Sequence, residues 1–231
     1  MKTYCISDIH GHLENFIKFK ESLNSDDKVF VLGDVIDKGE NSIEILQYIM
    51  DDDRFTMILG NHEYMMWRYL IAEPASFEKE ETASLWMDLN DGFNTFYQFE
   101  QLSREERNNI ITFLASLSVS IPEVIVGERK YYLAHANPYV KNDLDITGDV
   151  SEVENAVWER IELKGEKPFE DKQVIIGHTC VQEYFDECRP AYFTEDIKDA
   201  PIIDIDGGLA YPFSNKKLIA LCLDDLSYKL Y

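Results

Sequence analysis

Four of the five histidines fall within a series of five short motifs otherwise built largely from Asp, Asn and Gly. In chain order these are Asp8-Ile9-His10, Gly33-Asp34-Val35-Ile36-Asp37-Lys38-Gly39, Gly60-Asn61-His62-Glu63, Ala134-His135-Ala136 and Gly177-His178-Thr179. Among them Asp8, His10, Asp34, Asn61, His135 and His178 offer oxygen and nitrogen donors. A donor set without sulfur suits catalytic Mn²⁺, Fe or Zn²⁺ with open positions better than a closed structural zinc. Asp8 and His10, two residues apart, can both turn toward one ion, and the Asp34 carboxylate can give one oxygen to each of two ions. Two ions roughly 3.5–4 Å apart clamp a phosphate, and coordination brings a water's pKa from ~15.7 to near 7. A hydroxide nucleophile is then available at neutral pH.

Taken singly, each residue has a plainer reading. Asp8, Asp34 and Asp37 could be turn or cap aspartates, which commonly follow strands. His135 and His178 could be satisfied core histidines. Their joint occurrence with Asn61 and His62 is what packing alone does not produce. His12 has no such company and reads as a helix-start residue near the site. Gly207-Gly208, after Asp204 and Asp206, reads as a turn beneath the site rather than an anion cradle.

The elements that must position these groups follow from the apolar rhythm. Thr3 to Ser7, Lys28 to Leu32 and Phe55 to Leu59 read as buried strands, with amphipathic helices over Leu13 to Leu23 and Ser42 to Met50. Strands alternating with helices imply βαβ units and a largely parallel sheet. The clusters Asp8/His10, Asp34/Asp37 and Asn61/His62 each follow a strand's C-terminal end, where open α/β sheets bind ligands. From Tyr64 to about Ser118 the pattern turns helical. Ser103 to Glu106 has the form of a capping box for a helix running to Leu117. Trp67, Trp86, Phe93, Phe96, Tyr97 and Phe99 in this helical insert read as core. Strands resume over Ser120 to Val126 and Lys130 to Ala134, joined by a turn at Gly127 to Arg129. Further strands are expected over Val174 to Ile176, Ile202 to Ile205, Leu218 to Leu223 and Leu226 to Leu230, with polar loops over Pro138 to Asp149 and Glu183 to Pro201.

Length and composition fit one domain over residues 1–231, the helical insert included. Asp and Glu number 44 against 22 Lys and Arg, a formal charge of −22. Such a surface repels nucleic-acid backbones and anionic membranes, so neither is expected as a partner. Cys5, Cys180, Cys188 and Cys222 lack CxxC spacing and are expected to be reduced thiols, in a cytoplasmic protein. No apolar run approaches the ~18 residues of a membrane span, and Asp8 and His10 interrupt any signal-peptide core.

In order and spacing the five motifs resemble the phosphoprotein phosphatase branch of the calcineurin-like metallophosphoesterases. The family pattern is D-x-H, G-D-x-x-D-R-G, G-N-H-E, H-[GA] and G-H-T. The resemblance implies an α/β calcineurin-like fold, mixed β-sheets sandwiched by helices, with two divalent metal ions, Mn²⁺ before Fe or Zn²⁺. It implies Asp8, His10 and Asp34 on one metal, and Asp34, Asn61, His135 and His178 on the other. His62, paired with Asp37, is implied as the acid that protonates the leaving oxygen, since a neighbouring carboxylate favours the charged imidazole. Gly177-His178-Thr179-Cys180 lacks the second histidine of the G-H-x-H ending common in metallophosphodiesterases, and Cys180 is not expected to replace it. Ala134-His135-Ala136 is similar to the small bacterial and bacteriophage members.

Lys38 departs from the family arginine. Arginine clamps phosphate with a planar fork, whereas lysine is a flexible point charge. Lys38 is still expected to contact phosphate, with Asn61 and with Arg160 of Val157-Trp158-Glu159-Arg160. Arg129 and Arg189 are weaker candidates. The leading expectation is a serine/threonine protein phosphatase that hydrolyses phosphomonoesters with a metal-activated hydroxide. The alternative is hydrolysis of dinucleoside polyphosphates such as diadenosine tetraphosphate. A metal-binding regulatory module without turnover is a third reading, favoured only by Lys38.

Overall fold

Alternation of side chains along the first strands decides how the molecule is layered. A computed structural model describes residues 1–140, 144–165 and 167–231. Strands β1 (Thr3–Ile6), β2 (Lys28–Val31) and β3 (Phe55–Met57) run parallel, connected through helices α1 (Leu13–Glu21) and α2 (Ser42–Met50). Val29 and Val31 point into one apolar cluster with Phe16 and Phe19 of α1 and Ile45 and Leu46 of α2. Phe30 and Leu32 point the other way, into a second cluster shared with the other sheet. That period of two is the pleat's own geometry.

After β3 come α3 (Asn61–Ile71), α4 (Phe77–Ala83), a π-helical turn over Ser84–Asp88, α5 (Phe93–Glu100) and α6 (Arg104–Ala115). This is the expected insert, but its first helix opens at Asn61, so the third motif is itself a helix N-terminus. The capping box at Ser103 forms, with Ser103 N donating to Glu106 Oε2 at 2.8 Å. Two of the six aromatics read as core are not. Phe93 and Tyr97 are exposed, because α5 turns Thr95 and Phe99 inward and these two lie on the opposite face.

Strands β4 (Ser120–Val126) and β5 (Arg129–Ala134) form a hairpin whose turn is Gly127-Glu128, with Gly127 at φ +60°. Arg129 belongs to the strand and pairs with Val126, so the turn is one residue shorter than the sequence suggests. Pro122 falls where the β4–β5 register shifts, between Ile121 and Val124, and a residue without an N–H fits such an irregularity. Helix α7 (Val150–Trp158) follows, then β6 (Gln173–Ile176), β7 (Ile202–Asp204), β8 (Ile219–Cys222) and β9 (Tyr228–Leu230). Part of the loop expected over Pro138 to Asp149, residues 141–143, lies outside the described residues.

The strands make two mixed sheets, β3-β2-β1-β8-β9 and β4-β5-β6-β7. Within them β8 is antiparallel to β1 and β9, and β4 to β5, while the other pairs are parallel. Cys5, Leu32, Ile219 and Leu221 of the first sheet share a cluster with Tyr131, Leu133, Ile175 and Ile203 of the second, so the sheets pack face to face. The C-terminal ends of β1, β2, β3, β5, β6 and β7 therefore all feed one edge of the sandwich.

Candidate metal centre

Six residues at that edge hold left-handed backbone: Asp8 (φ 51°), His10 (45°), Asp34 (53°), Asp37 (70°), Lys38 (64°) and His178 (70°). Such φ values are uncommon outside glycine, though Asp and His tolerate them better than most. Their concentration at strand ends marks a site where the surrounding structure over-determines the backbone. It does so through cross-links between loops. His10 N donates to Asp34 O (3.0 Å), Gly11 N to Val35 O (2.8 Å), and Gly177 N to His135 O (2.9 Å).

The donor atoms are aimed by second contacts. Nδ1 of His10 lies 3.0 Å from Ile36 O, Nδ1 of His135 2.7 Å from Leu32 O, and Nε2 of His178 3.1 Å from Trp158 O. A carbonyl only accepts, so each of these nitrogens donates. The opposite nitrogen of a neutral ring is then a bare lone pair turned into the site. Asp8 Oδ2 accepts from His178 N at 3.0 Å and from Ser7 Oγ, leaving Oδ1 facing His10 Nε2 at 3.9 Å. Asp34 Oδ1 accepts from His62 N at 3.1 Å.

Asp34 Oδ2 stands at the centre, 3.6 Å from His10 Nε2, 3.5 Å from His135 Nε2 and 3.9 Å from His62 Nε2. His135 Nε2 also lies 3.0 Å from Asn61 Oδ1 and 3.2 Å from His178 Nδ1. With His135 neutral, Asp34 Oδ2, His135 Nε2, Asn61 Oδ1 and His178 Nδ1 are four converging acceptors that repel one another unless a positive charge, a proton or a cation, sits among them. Electrostatics expresses the same demand. Burial alone would keep His135 neutral, yet the Asp34 and Asp8 carboxylates outweigh it and push its pKa up to about 10. Burial and the neighbouring imidazoles drive His10 and His178 down to about 3, so both stay neutral ligands. Burial lifts Asp8 to about 6, assisted by Asp34. Asp34 itself is held well below the usual carboxylate range, because the surrounding histidines outweigh its burial.

Two donor trios are compact enough for single ions, His10/Asp34/His62 and Asp34/His135/His178, and Asp34 belongs to both. The donor set thus fits a pair of divalent cations bridged by Asp34. In the first trio His62 stands where the sequence reading placed Asp8. Asp8 Oδ1 faces the same His10 Nε2 at 3.9 Å, and Nδ1 of His62 is engaged by Asp37 at 2.6 Å. Burial opposes charge on His62, but Asp34 and Asp37 prevail and raise its pKa.

A cavity of about 140 Å³ opens over these groups, lined among others by Lys38, Asn90, Arg160, Asp206 and Tyr211. A larger one of about 520 Å³, along Gln182 to Arg189, contains none of them. Arg160 is exposed and reaches the site from the residues after α7. Arg129 instead faces Gln173, and Arg189 stacks on Phe185 at 3.7 Å. His12 bonds the His10 carbonyl and meets Lys216 Nζ at 3.1 Å.

Residues 1–207 match the calcineurin-like phosphoesterase family. The chain belongs to that family. Relatives include the symmetrical bis(5'-nucleosyl)-tetraphosphatase of Buchnera aphidicola subsp. Acyrthosiphon pisum (strain Tuc7), 39% identical over 67 residues, 27% of this chain and 24% of that one. The same enzyme of Buchnera aphidicola subsp. Baizongia pistaciae (strain Bp) is 34% identical over 93 residues, 38% of this chain and 32% of its own. The matched segments thus span about a quarter to a third of those relatives' length. Solved structures share the fold. One, described as a proposed diadenosine tetraphosphatase, gives a TM-score of 0.61 at 16% identity and covers 100% of this chain and 92% of its own. A protein serine/threonine phosphatase of Saccharomyces cerevisiae gives 0.58 at 12% identity, with 100% and 79% covered.

Four residues near the site make contacts that their motifs and sequence positions do not assign. Glu63 accepts backbone N–H groups from Asp34 (2.8 Å), Val35 (2.9 Å), Ile36 (3.3 Å) and Gly60 (3.2 Å), and so ties the second motif to the third. Trp86 donates its indole N–H to Asp37 Oδ2 at 2.8 Å. Asp91 pairs with Lys38 at 2.9 Å. Asp206 is buried in the cavity wall, and burial together with Asp8 holds its carboxyl well above the usual range. Glu63 stands within the third motif itself, Gly60-Asn61-His62-Glu63. The two insert residues had no local signal, because their partners lie about 50 residues away in sequence.

Proposed function

We propose that the protein is a metal-dependent phosphomonoester hydrolase whose substrates are phosphoserine- and phosphothreonine-bearing proteins. The observation that carries this reading is the size and charge of the cavity over the metal ligands. At about 140 Å³ it falls well below the ~300 Å³ and upward of sites that enclose whole small molecules. It accommodates one phosphate and leaves the remainder of a substrate outside. Its lining includes two cations, Lys38 and Arg160, and Lys38 is already paired with Asp91. A single phosphate on a large partner asks for no more.

Asp8, His10 and Asp34 would hold one divalent ion, and Asp34, Asn61, His135 and His178 the other, with Mn²⁺ the expected metal. Bound there, the ions would polarise the phosphoryl oxygens and make water a competent nucleophile at neutral pH. The chain's own residues supply the rest. Lys38, Arg160 and the Asn61 amide orient the phosphate. His62, held by Asp37 at 2.6 Å with its Nε2 toward the site, gives its proton to the departing serine or threonine oxygen. The raised pKa of His62 keeps that proton available.

A second reading is favoured by a specific observation, the kinship with symmetrical bis(5'-nucleosyl)-tetraphosphatases. The same metal ligands and the same acid would serve there, with the two nucleosides lying outside the cavity on either side. The experiment is a side-by-side assay with Mn²⁺ on a phosphothreonine peptide and on diadenosine tetraphosphate. Phosphate is followed in the first case and nucleotide products in the second. Preference for the dinucleotide would replace the protein phosphatase reading. Inactivity on both with metal bound would point to the regulatory module instead.

A further inference from the structure

We propose that Asp91 is a specificity residue: it occupies the Lys38 ammonium, and a phosphate enters only by displacing it. This rests on the reading above in which Lys38 contacts the substrate phosphate. The pair is close, Nζ to Oδ2 2.9 Å, and unequal, the Lys38 side chain 21% exposed and that of Asp91 70%. The cation is thus embedded in the site wall while the carboxylate reaches it from the solvent side.

The placement is built into the insert. Asp91 holds φ +58° and Lys38 φ +64°, so both partners stand on left-handed backbone. Asp91 lies in the turn between the π-helical segment and α5. There Gly92 N donates to Trp86 O at 3.0 Å. A Cβ on Gly92 would fall 2.3 Å from the Trp86 indole nitrogen. The turn is thus packed directly against the indole. Beyond it, Asn94 Nδ2 donates to Gly39 O (3.1 Å) and Gln98 Nε2 to Glu40 O (2.9 Å). The insert clasps the loop after Lys38 residue by residue, and Asp91 is the member of that clasp aimed at a cation.

The consequence is electrostatic. In a chain carrying −22, one of the two cations lining the cavity is already neutralised. An incoming phosphate must take Lys38 from Asp91, and a doubly charged monoester competes on better terms than a singly charged diester. An exposed carboxylate makes a weak enough pair for that exchange to be rapid.

Calorimetric titration of the Mn²⁺-loaded protein with inorganic phosphate tests this on wild type, Asp91→Asn, Lys38→Met and the double variant. Asp91→Asn should bind phosphate roughly three- to tenfold more tightly. Lys38→Met should bind more weakly than wild type, and the double variant should match Lys38→Met. Unchanged or weaker binding in Asp91→Asn, with Lys38→Met still weakened, overturns the role of Asp91 and leaves that of Lys38. If Lys38→Met has no effect in either background, the underlying reading of Lys38 fails and this inference with it. Tightening by Asp91→Asn that persists without Lys38 also overturns it, since the carboxylate would then act on the phosphate directly.

Discussion

The indole nitrogen of Trp86 and Nδ1 of His62 both donate to one oxygen of Asp37, Oδ2, at 2.8 Å and 2.6 Å. The other oxygen, Oδ1, is buried and has no hydrogen-bond partner among the described residues. Asp37 is fully buried, its backbone N–H shared by Ser42 Oγ (2.8 Å) and Thr95 Oγ1 (3.2 Å). With two donors on one oxygen the carboxylate cannot rotate without releasing both. A tryptophan from the insert thereby sets the direction of the His62 imidazole, the acid of the proposed reaction.

Trp86→Phe removes one of those donors and keeps most of the packing. A buried acceptor that loses a partner costs about 1–3 kcal/mol, and the misaimed His62 should lower kcat. The loss should depend on the leaving group. Hydrolysis of an alkyl phosphate, whose oxygen needs a proton, should fall roughly tenfold. Hydrolysis of p-nitrophenyl phosphate, whose anion departs unaided, should change far less. Equal losses on both substrates would assign Trp86 a purely structural role.

Glu63 gives a second prediction, on stability. Its two oxygens accept four backbone N–H groups from the second and third motifs. Glutamine offers one acceptor oxygen and turns an NH₂ toward donors, leaving buried N–H groups unpaired. Urea unfolding of metal-free Glu63→Gln should show a loss of about 2–4 kcal/mol. A change under about 1 kcal/mol would mean the loops hold their left-handed backbone without it.

How far the sequence could be read depended on the range of the physics involved. Strands β1, β2 and β3 and helices α1 and α2 were legible because burial imprints periods of 2 and 3.6 on neighbouring residues. Candidate donors could be picked out because donor chemistry survives in residue type, and the fold gathers His10, Asp34, His62, His135 and His178 into two compact trios. Helix α7 carries equally local signals, although no element is expected there from the apolar rhythm. Asp149 caps it through Ser151 N at 3.0 Å, and Val153, Ala156 and Val157 lie at helical spacing on its buried face. The Trp86–Asp37 and Asp91–Lys38 contacts join residues 49 and 53 apart. No local pattern encodes such pairs, so the insert read as packing with a few aromatics. Phe93 and Tyr97 were assigned to the core on residue type alone, which does not say which helix face is inward.

Metal loading should be visible in melting and in proton release. Each ion present at a hundredfold excess over its Kd stabilises the fold by about 2.7 kcal/mol, or roughly 5–10 °C in Tm for a chain of this size. Chelation should reverse the shift. Asp34→Asn should abolish uptake of both ions, whereas Asp8→Asn and His178→Ala should each spare one. His135, pushed up to about 10, is protonated at neutral pH in the metal-free protein and must lose that proton to become a ligand. Uptake at pH 7 should therefore release at least one proton per protein. Below pH 6, the value to which Asp8 is raised, a second proton competes and affinity should fall further. Calorimetry in buffers of different ionisation enthalpy counts those protons. A release of zero at pH 7 would place the metals elsewhere.

Gly60 offers a test of how tightly the loops are set around Asp34. A Cβ there would lie 2.3 Å from Asp34 Oδ1, 2.4 Å from Asp34 N and 2.7 Å from Glu63 Oε2. Gly60 itself is extended, φ −100°, so alanine meets no backbone penalty and the effect is pure contact. Two of the three neighbours are the Asp34 carboxylate, shared by both donor trios, and the main chain that carries it. Gly60→Ala should push the Asp34 carboxylate out of line with His10 and His135 and weaken Mn²⁺ binding by at least tenfold, at a cost of about 1–3 kcal/mol in stability. Near-normal metal affinity in a folded Gly60→Ala protein would show that the second and third motifs can part without disturbing the bridge.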